Sequence, residues 1–281
     1  MSAVVRARRI VRSPAWGLAI PGTILGFIVL AVIVGPWLLP ESLKASFADP
    51  WEGFSAAHPL GTDQLGRDML VRLIEGGRLT LALSAVVAVL AFLVGVLGGL
   101  TAAFLGGYVD VALSRLVDTL MALPPLILAL LTISILGNSI PVLVAVLVTF
   151  ECLRVFRLAR ALAMEIMTED FVTAARLRGE GLWWVLTREI APSAMIPLVA
   201  ELTLRFVFAL LFLSSLSFLG LGVPPPQADW GGMVRENAAA LGFGLPAPLV
   251  PAAAIALVAI STNQIADVLV SLSKRRQARR S

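Results

Sequence analysis

The stretch LTLALSAVVAVLAFLVGVLGGLTAAFL, from Leu79 to Leu105, contains no Asp, Glu, Lys or Arg. A helix needs about 20 mostly apolar residues to cross the hydrocarbon core of a bilayer, and this run exceeds that length. Working outward, five further segments read the same way. Trp16 to Leu39 precedes it. Leu116 to Leu136 follows, with Asp118 near its start. Ile140 to Phe156 is the weakest, because Glu151 and Arg154 interrupt it. Ala194 to Leu219 holds Glu201 and Arg205, and Leu245 to Leu272 carries Asn263, Gln264 and Asp267 toward its end. Internal Pro and Gly are tolerated better in membrane helices than in soluble ones. The expected fold is all-α, a polytopic membrane protein with six transmembrane helices.

The composition agrees. Of 281 residues, 58% are hydrophobic and only 14% charged, with a mean hydropathy of +0.92. Soluble domains are nearer half apolar and a quarter charged, which argues against a soluble enzyme and a disordered chain. The pI near 10.2 superficially suggests a nucleic-acid partner. The net charge is only +4, however, and the basic residues flank apolar runs, so nucleic acid is not expected. The lone Cys152 excludes an intrachain disulfide or a Cys-rich metal site. The lone His58, read as a solvated loop residue, excludes any site needing two histidines.

Orientation follows from Lys and Arg in the loops. With the N-terminus inside, sixteen of the 22 basic residues lie on the cytoplasmic side: Arg6 to Arg12, Arg115, Arg154 to Arg188, and the tail from Lys274. Five lie outside, at Lys44, Arg67, Arg72, Arg78 and Arg235. Both termini are therefore expected inside. Residues 1–15 form a cytoplasmic segment and 16–39 a retained anchor, since that apolar run is too long for a signal peptide. Residues 40–78 form an extracytoplasmic loop and 79–272 a core with five spans, including an inner loop over 157–193. Residues 273–281 are a basic tail.

Several chemistries lack their residues. No GxxxxGK[ST] phosphate-binding loop occurs. The only lysines, Lys44 and Lys274, lie outside the apolar core, so a buried Ser/Lys dyad is unavailable. No HExxH is present. No catalytic, cofactor or metal residue is assigned.

In the inner loop, EDFVTAARLRGEGLWWVLTREIAPS covers 169–193. Asp170 is suited to cap a helix beginning near Phe171, with Val172, Ala175 and Arg176 on one side and Thr173 on another. Gly179 and Gly181 break it. A second amphipathic stretch places Trp183, Leu186 and Ile190 on one face until Pro192. Two short helices under a membrane make a compact docking knob, or an interfacial pair packed on its own bundle. Ala174, Ala175 and Gly179, followed by Ile190 and Pro192, resemble the "EAA" loop of permease subunits of binding-protein-dependent ABC importers, with pattern EAAxxxG and then I-x-P. The resemblance implies that Asp170, Thr173, Ala174, Ala175, Arg176, Gly179, Glu180 and Gly181 form a coupling helix docking on a separate ATPase subunit. Thr173 stands where the family has Glu.

In the outer loop, HPLGTDQLGRDMLVRLIEGGRLTL covers 58–81. Thr62 or Asp63 is suited to cap a helix whose stripe is Leu65, Met69, Leu73 and Ile74, stopped by Gly76-Gly77. Read plainly, this is an interfacial helix. Leu60 to Asp63, Leu65 to Asp68, Arg72, Leu73, Gly76 or Gly77, and Arg78 closely resemble the LGTDxLGRDxxSRLxxGxR motif of C-type permeases in dipeptide, oligopeptide and nickel ABC importers, with Val71 replacing Ser. Other residues that fit the family are Arg115, Asp118 and Pro124; Leu216 to Val223 with Pro225-Pro226 and Trp230-Gly231; and Asn263 with Asp267. Leu213 departs, standing where the family often has Glu.

The resemblance implies a type I ABC importer permease fold in the bacterial inner membrane. It also implies a B-type permease partner, one or two ABC ATPase subunits, an extracytoplasmic solute-binding protein, and a peptide or related small solute as substrate. ATP and Mg belong to the ATPase partners. Glu201 and Arg205, four apart with Glu first, suit an ion pair; they either stabilise the bundle or line the translocation path. Glu151 reads as a structural partner of Arg154 or Arg115, and Asn263 and Asp267 as helix caps or bridges on the inner side. The rival reading is an ion-gradient carrier acting alone, with Glu151, Glu201 and Arg205 as its relay; a membrane scaffold is a third.

Overall fold

The computed structural model describes residues 14–39, 48–181, 184–185, 188 and 191–277. Among them the regular elements are helical, apart from one antiparallel bridge between Thr62 and Asp68. In chain order they are α1 (Pro14–Leu38), α2 (Met69–Leu105), α3 (Gly107–Met121), α4 (Pro125–Leu136), α5 (Ile140–Ile166), α6 (Asp170–Leu177), α7 (Ala191–Phe218), α8 (Trp230–Asn237) and α9 (Leu249–Gln277). A 3-10 turn, Ala238–Phe243, follows α8. The basic N-terminal segment, Lys44, and the stretch marked by Trp183, Leu186 and Ile190 lie outside the described residues.

Four helices contain stretches long and apolar enough to span a membrane: Leu18–Leu38, Met69–Leu105, Pro197–Phe218 and Leu249–Val268. Helices α3 and α4 qualify only as a pair, bent by 87°, so the run expected at 116–136 is not one straight helix. Pro124 and Pro125 cause the break. Proline disfavours the helical region for the residue before it and offers no N–H to the preceding turn; Pro124 is extended and Pro125 opens α4. Helix α5 does not stop at Phe156 but continues to Ile166. Arg157 and Arg160 therefore sit on a helix and not in a loop. These charges, with Glu151 and Arg154, keep α5 below the apolarity of the four spans.

The separate outer helix expected to end at Gly76-Gly77 is absent among the described residues. Helix α2 begins at Met69 and runs unbroken for 37 residues. Its cap is Asp68, not Thr62 or Asp63: the Asp68 carboxylate accepts the Val71 N–H at 3.0 Å. Glycine in a helix interior costs about 1 kcal/mol relative to Ala. Here packing requires it, because a Cβ on Gly77 would lie 2.7 Å from Val32 and 2.8 Å from Trp230. The glycine pair lets α1 and α8 close on α2.

Helices α2 and α5 form the most extensive pair. Small residues let helix backbones approach, and α2 supplies Gly95 and Gly99. A Cβ at Gly95 would stand 2.5 Å from Val155 Cβ, and one at Gly99 2.5 Å from the Phe156 carbonyl oxygen. Around this seam Leu83 and Val87 of α2 meet Ile133 of α4, Leu143 and Leu147 of α5 and Leu213 of α7. Leu213 is fully buried there. The position that departs from the family's Glu is thus filled by apolar packing. A second core joins Val32, Met69, Leu210, Trp230 and Val258, tying α1, α2, α7, α8 and α9 together.

Replacing Gly99 by Leu is expected to destabilise the folded chain by about 3 kcal/mol, because the seam has no room to relax. Gly22→Ala in α1, where no atom lies within 4 Å of the added Cβ, is expected to be neutral or slightly stabilising. Thermal unfolding of the two variants in one detergent checks the contrast; equal melting temperatures would show that α2 and α5 do not pack this way.

Candidate functional site

The inner knob is built on α6. The Glu169 carbonyl accepts from the N–H groups of Val172 and Thr173 at 3.1 and 3.3 Å. Asp170 is therefore the first helical residue and not the expected cap; its carboxylate stands in the first turn, where the helix dipole favours negative charge. Gly179, at φ +80°, adopts the left-handed conformation that ends many helices. It allows the Glu180 N–H to reach back to the Ala175 carbonyl at 3.3 Å. Nothing lies within 4 Å of a Cβ at Gly179, so conformation and not space selects glycine.

The knob has two faces. Val172 and Ala175 are buried against Leu100 and Ala103 of α2, Ala163 of α5 and Val185. Thr173, Ala174 and Leu177 are exposed. The two alanines thus differ: Ala175 seats the helix on its own bundle, while Ala174 faces away. Glu180 lies 3.9 Å from Arg178, whose guanidinium sits 5.7 Å from the Trp184 ring centroid. Gly181 is exposed. The Arg176 side chain lies outside the described residues.

Within the spans, Arg205 and Glu201 pair as expected, Nε to Oε1 at 2.9 Å, though without hydrogen-bond alignment. A third member comes from another helix. Glu151 of α5 accepts from Arg205 Nη1 at 2.6 Å and from Arg154 Nη1 at 3.1 Å. Both Arg154 and Arg205 lie over the Phe208 ring. Glu151, Glu201 and Arg205 are each buried. The network joins α5 to α7, and Arg115 is not part of it. Asn263 and Asp267 neither cap nor bridge: both lie inside α9 with exposed side chains and no partner among the described residues.

At the other end of α2, the LGTDQLGRD stretch folds into a tight loop. The Asp63 carboxylate accepts from the N–H groups of Leu65 and Arg67 at 2.8 and 2.9 Å. It also accepts from Arg67 Nε and Arg72 Nη1, both at 2.7 Å. Glu236 on α8 completes the cluster, 2.5 Å from Arg72 Nη1. Gly66, at φ +73°, has no room for a Cβ against the Ala48 carbonyl. His58 is buried, not solvated: its Nδ1 is 2.9 Å from Asp68, the α2 cap. Burial raises the Asp63 carboxyl, but the two backbone N–H groups and the Arg67 guanidinium outweigh it and hold it below the usual carboxylate range.

Asn237, Thr80 and Asp229, not singled out from the sequence, complete this outer clamp around Trp230. Asn237 accepts from Trp51 Nε1 and the Gln64 N–H. Thr80 accepts the Trp230 N–H at 3.0 Å, and Trp230 Nε1 donates to the Leu73 carbonyl at 2.8 Å. Asp229 caps α8. Asp before a Trp-Gly-Gly helix start was a readable N-cap signal; Glu236 and Asn237 had no local signal.

This architecture, with several apolar helices long enough to span a membrane, is that of a membrane protein. Residues 95–279 match the family model described as "Binding-protein-dependent transport system inner membrane component". Among curated proteins, the di/tripeptide transport system permease protein DppC of Pseudomonas aeruginosa is 38% identical over 216 residues, covering 74% of this chain and 71% of that protein. The dipeptide transport system permease protein DppC of Alkalihalophilus pseudofirmus is 31% identical over 255 residues, covering 90% and 84%. The glutathione transport system permease protein GsiD of Pectobacterium atrosepticum is 30% identical over 248 residues, covering 86% and 82%. The chain belongs to the inner-membrane components of binding-protein-dependent transport systems, as a permease subunit of an ABC importer.

Removing one partner from a buried ion pair typically costs about 3–5 kcal/mol. Arg205→Leu alone leaves Glu151 and Glu201 without its charge and is expected to destabilise by that amount. Adding Glu201→Gln and Glu151→Gln to it should recover most of the loss, as read from melting temperatures in detergent.

At the outer clamp, Asp63→Asn is expected to cost about 3 kcal/mol near neutral pH. A carboxyl lowered in the folded state stabilises above its unfolded pKa of about 4 and loses that contribution as pH falls through the folded value. The gap between wild type and Asp63→Asn should therefore narrow in acid below about pH 4. A gap unchanged across an acid titration would contradict the clamp.

Proposed function

We propose that this chain is one of two permeases in a peptide importer, with six spans and both termini in the cytoplasm. The relatives' names support the solute class: they are permeases of di/tripeptide, dipeptide and glutathione transport systems. The six spans are α1, α2, the bent α3–α4 pair, α5, α7 and α9. Helix α5 joins them because its buried charge is paired within the chain, Glu151 by Arg154 and Arg205, and Arg160 nearer its end is paired by Asp110 at 2.6 Å, while Arg157 is exposed beside the Met121 sulfur. A paired charge is tolerated in a span where an unpaired one is not. The basic loops and tail support both termini inside. The extracytoplasmic loop then ends where α2 begins, at Met69, and the inner loop begins after Ile166.

The observation that carries the mechanism is the division of α6 into a buried and an exposed face. Its buried side is fixed to α2 and α5, so force on its exposed side, Thr173, Ala174 and Leu177, passes to two spans. An ATPase subunit docks there. ATP and Mg, bound by that partner, close the ATPase pair, and the knob converts closure into rigid-body rotation of the spans. A B-type permease supplies the second half of the path, and a solute-binding protein delivers the peptide to the outer face. Asp170, Arg176, Glu180 and Gly181 border the docking face, with Gly179 setting its end. Glu201 and Arg205 act inside the bundle as packing partners.

Affinity purification of the tagged chain from native membranes tests this. Ala174→Trp, on the exposed face, is expected to keep the second permease but lose most of the co-purified ATPase activity. Gly179→Pro should do the same, since Pro cannot adopt φ +80°. ATPase recovery equal to wild type in both variants would overturn the docking role of α6.

A further inference from the structure

Helix α9 presents two unlike sides. Ala254, Val258, Ser261, Thr262 and Ala266 are buried against the bundle. The opposite side exposes Leu257 and Ile260, then Asn263, Gln264 and Asp267. Beyond Ile260 its exposed side therefore turns polar: a carboxylate and two amides point away from the chain's own core. None of the three has a partner among the described residues.

Their depth makes this informative. At 1.5 Å per residue, Asn263 lies about 21 Å and Asp267 about 27 Å along the helix from Leu249. The hydrocarbon core is about 30 Å thick, and the basic run at Lys274 comes only after Asp267. Asn263 and Gln264 thus fall within the apolar stretch Leu249–Val268, and Asp267 next to its end. Polar groups at such depth face a bundle interior or a water-filled cavity. The Glu151–Arg205–Glu201 network meets that requirement inside this chain; the α9 stripe does not. A protein surface covering it would have to bring a cation into the bilayer to match Asp267, whereas water needs no such partner.

We propose that Asn263, Gln264 and Asp267 form a polar wall of the water-filled path between this chain and its partner permease, which rests on the two-permease reading above. They hydrate the peptide as it passes, a role that the buried Glu201 and Arg205 are not placed to fill.

The lone cysteine makes the test clean. Cys152→Ser keeps the hydrogen bond that the thiol donates to the Thr149 carbonyl and provides a cysteine-free background. Single cysteines are placed at 263, 264 and 267, with Val89→Cys and Leu93→Cys on the exposed apolar side of α2 as controls. The full complex in proteoliposomes is treated with a charged, membrane-impermeant thiosulfonate, which reacts only with hydrated, ionised thiols. The three α9 positions are expected to react about tenfold or more faster than the controls, and ATP-driven uptake of dialanine should then collapse. Rates equal to the controls would show a dry face, covered by lipid or protein, and overturn the proposal. Fast reaction with uptake intact would place the water off the path and overturn it equally. A wild-type complex that lacks a second permease or does not import dialanine would remove the two-permease peptide reading, and this inference with it. Slow reaction in a complex that does import removes this inference alone.

Discussion

Arg205 meets Glu151 at 2.6 Å across the α5–α7 boundary, and much of the membrane part of the fold depends on that contact. Helix α5 carries a carboxylate and several arginines where its neighbours carry Leu and Val. Packed among apolar spans, buried charges are tolerated where they are met inside the protein. Arg205 meets Glu151 and Glu201 together, Arg154 closes the other side of Glu151, and the Phe208 ring lies against both guanidinium groups. The net gain over an apolar core is small, because desolvating each ion offsets most of the attraction. What the network contributes is a specific mating of two helices, since either one alone would bury an uncompensated charge.

The same logic governs the outer end. Asp63 draws two backbone N–H groups and two guanidinium groups to one carboxylate, and Glu236 brings α8 into the cluster. The glycines of LGTDQLGRD permit the turns and the acidic residues hold them, so the motif is a device for starting α2 in a fixed direction. Helix α2 then runs about 55 Å, at 1.5 Å per residue, to the apolar contacts of Leu100 and Ala103 with α6. One unbroken helix therefore joins the outer clamp to the inner knob. A rigid element of that kind suits a permease whose two faces must open in alternation.

Two sequence expectations yielded to packing and a third to a local backbone break. Gly76-Gly77 reads as a helix stop, but Val32 and Trp230 need the space a side chain would take. His58 reads as a solvated loop residue, but the cap of α2 lies 2.9 Å from its ring. The run at 116–136 reads as one span, although Pro124-Pro125 already marked the break. By contrast Gly179 ends α6 as expected, because a left-handed C-terminal glycine is a local backbone requirement.

By itself, the sequence determined the membrane class, the placement of most apolar helices, the Glu201–Arg205 pair and the family motifs. These depend on composition, on i to i+4 spacing and on local backbone chemistry, which are properties of neighbouring residues. Only the tertiary structure decided that Glu151 is the third member of the pair, 54 residues from Arg205, and that Glu236 completes the clamp, 164 residues from Arg72. It alone divided Ala174 from Ala175 and turned Asn263, Gln264 and Asp267 away from the bundle. Partners so distant in the chain, and the choice of which helix face is covered, are set by how the helices pack, which no local pattern encodes.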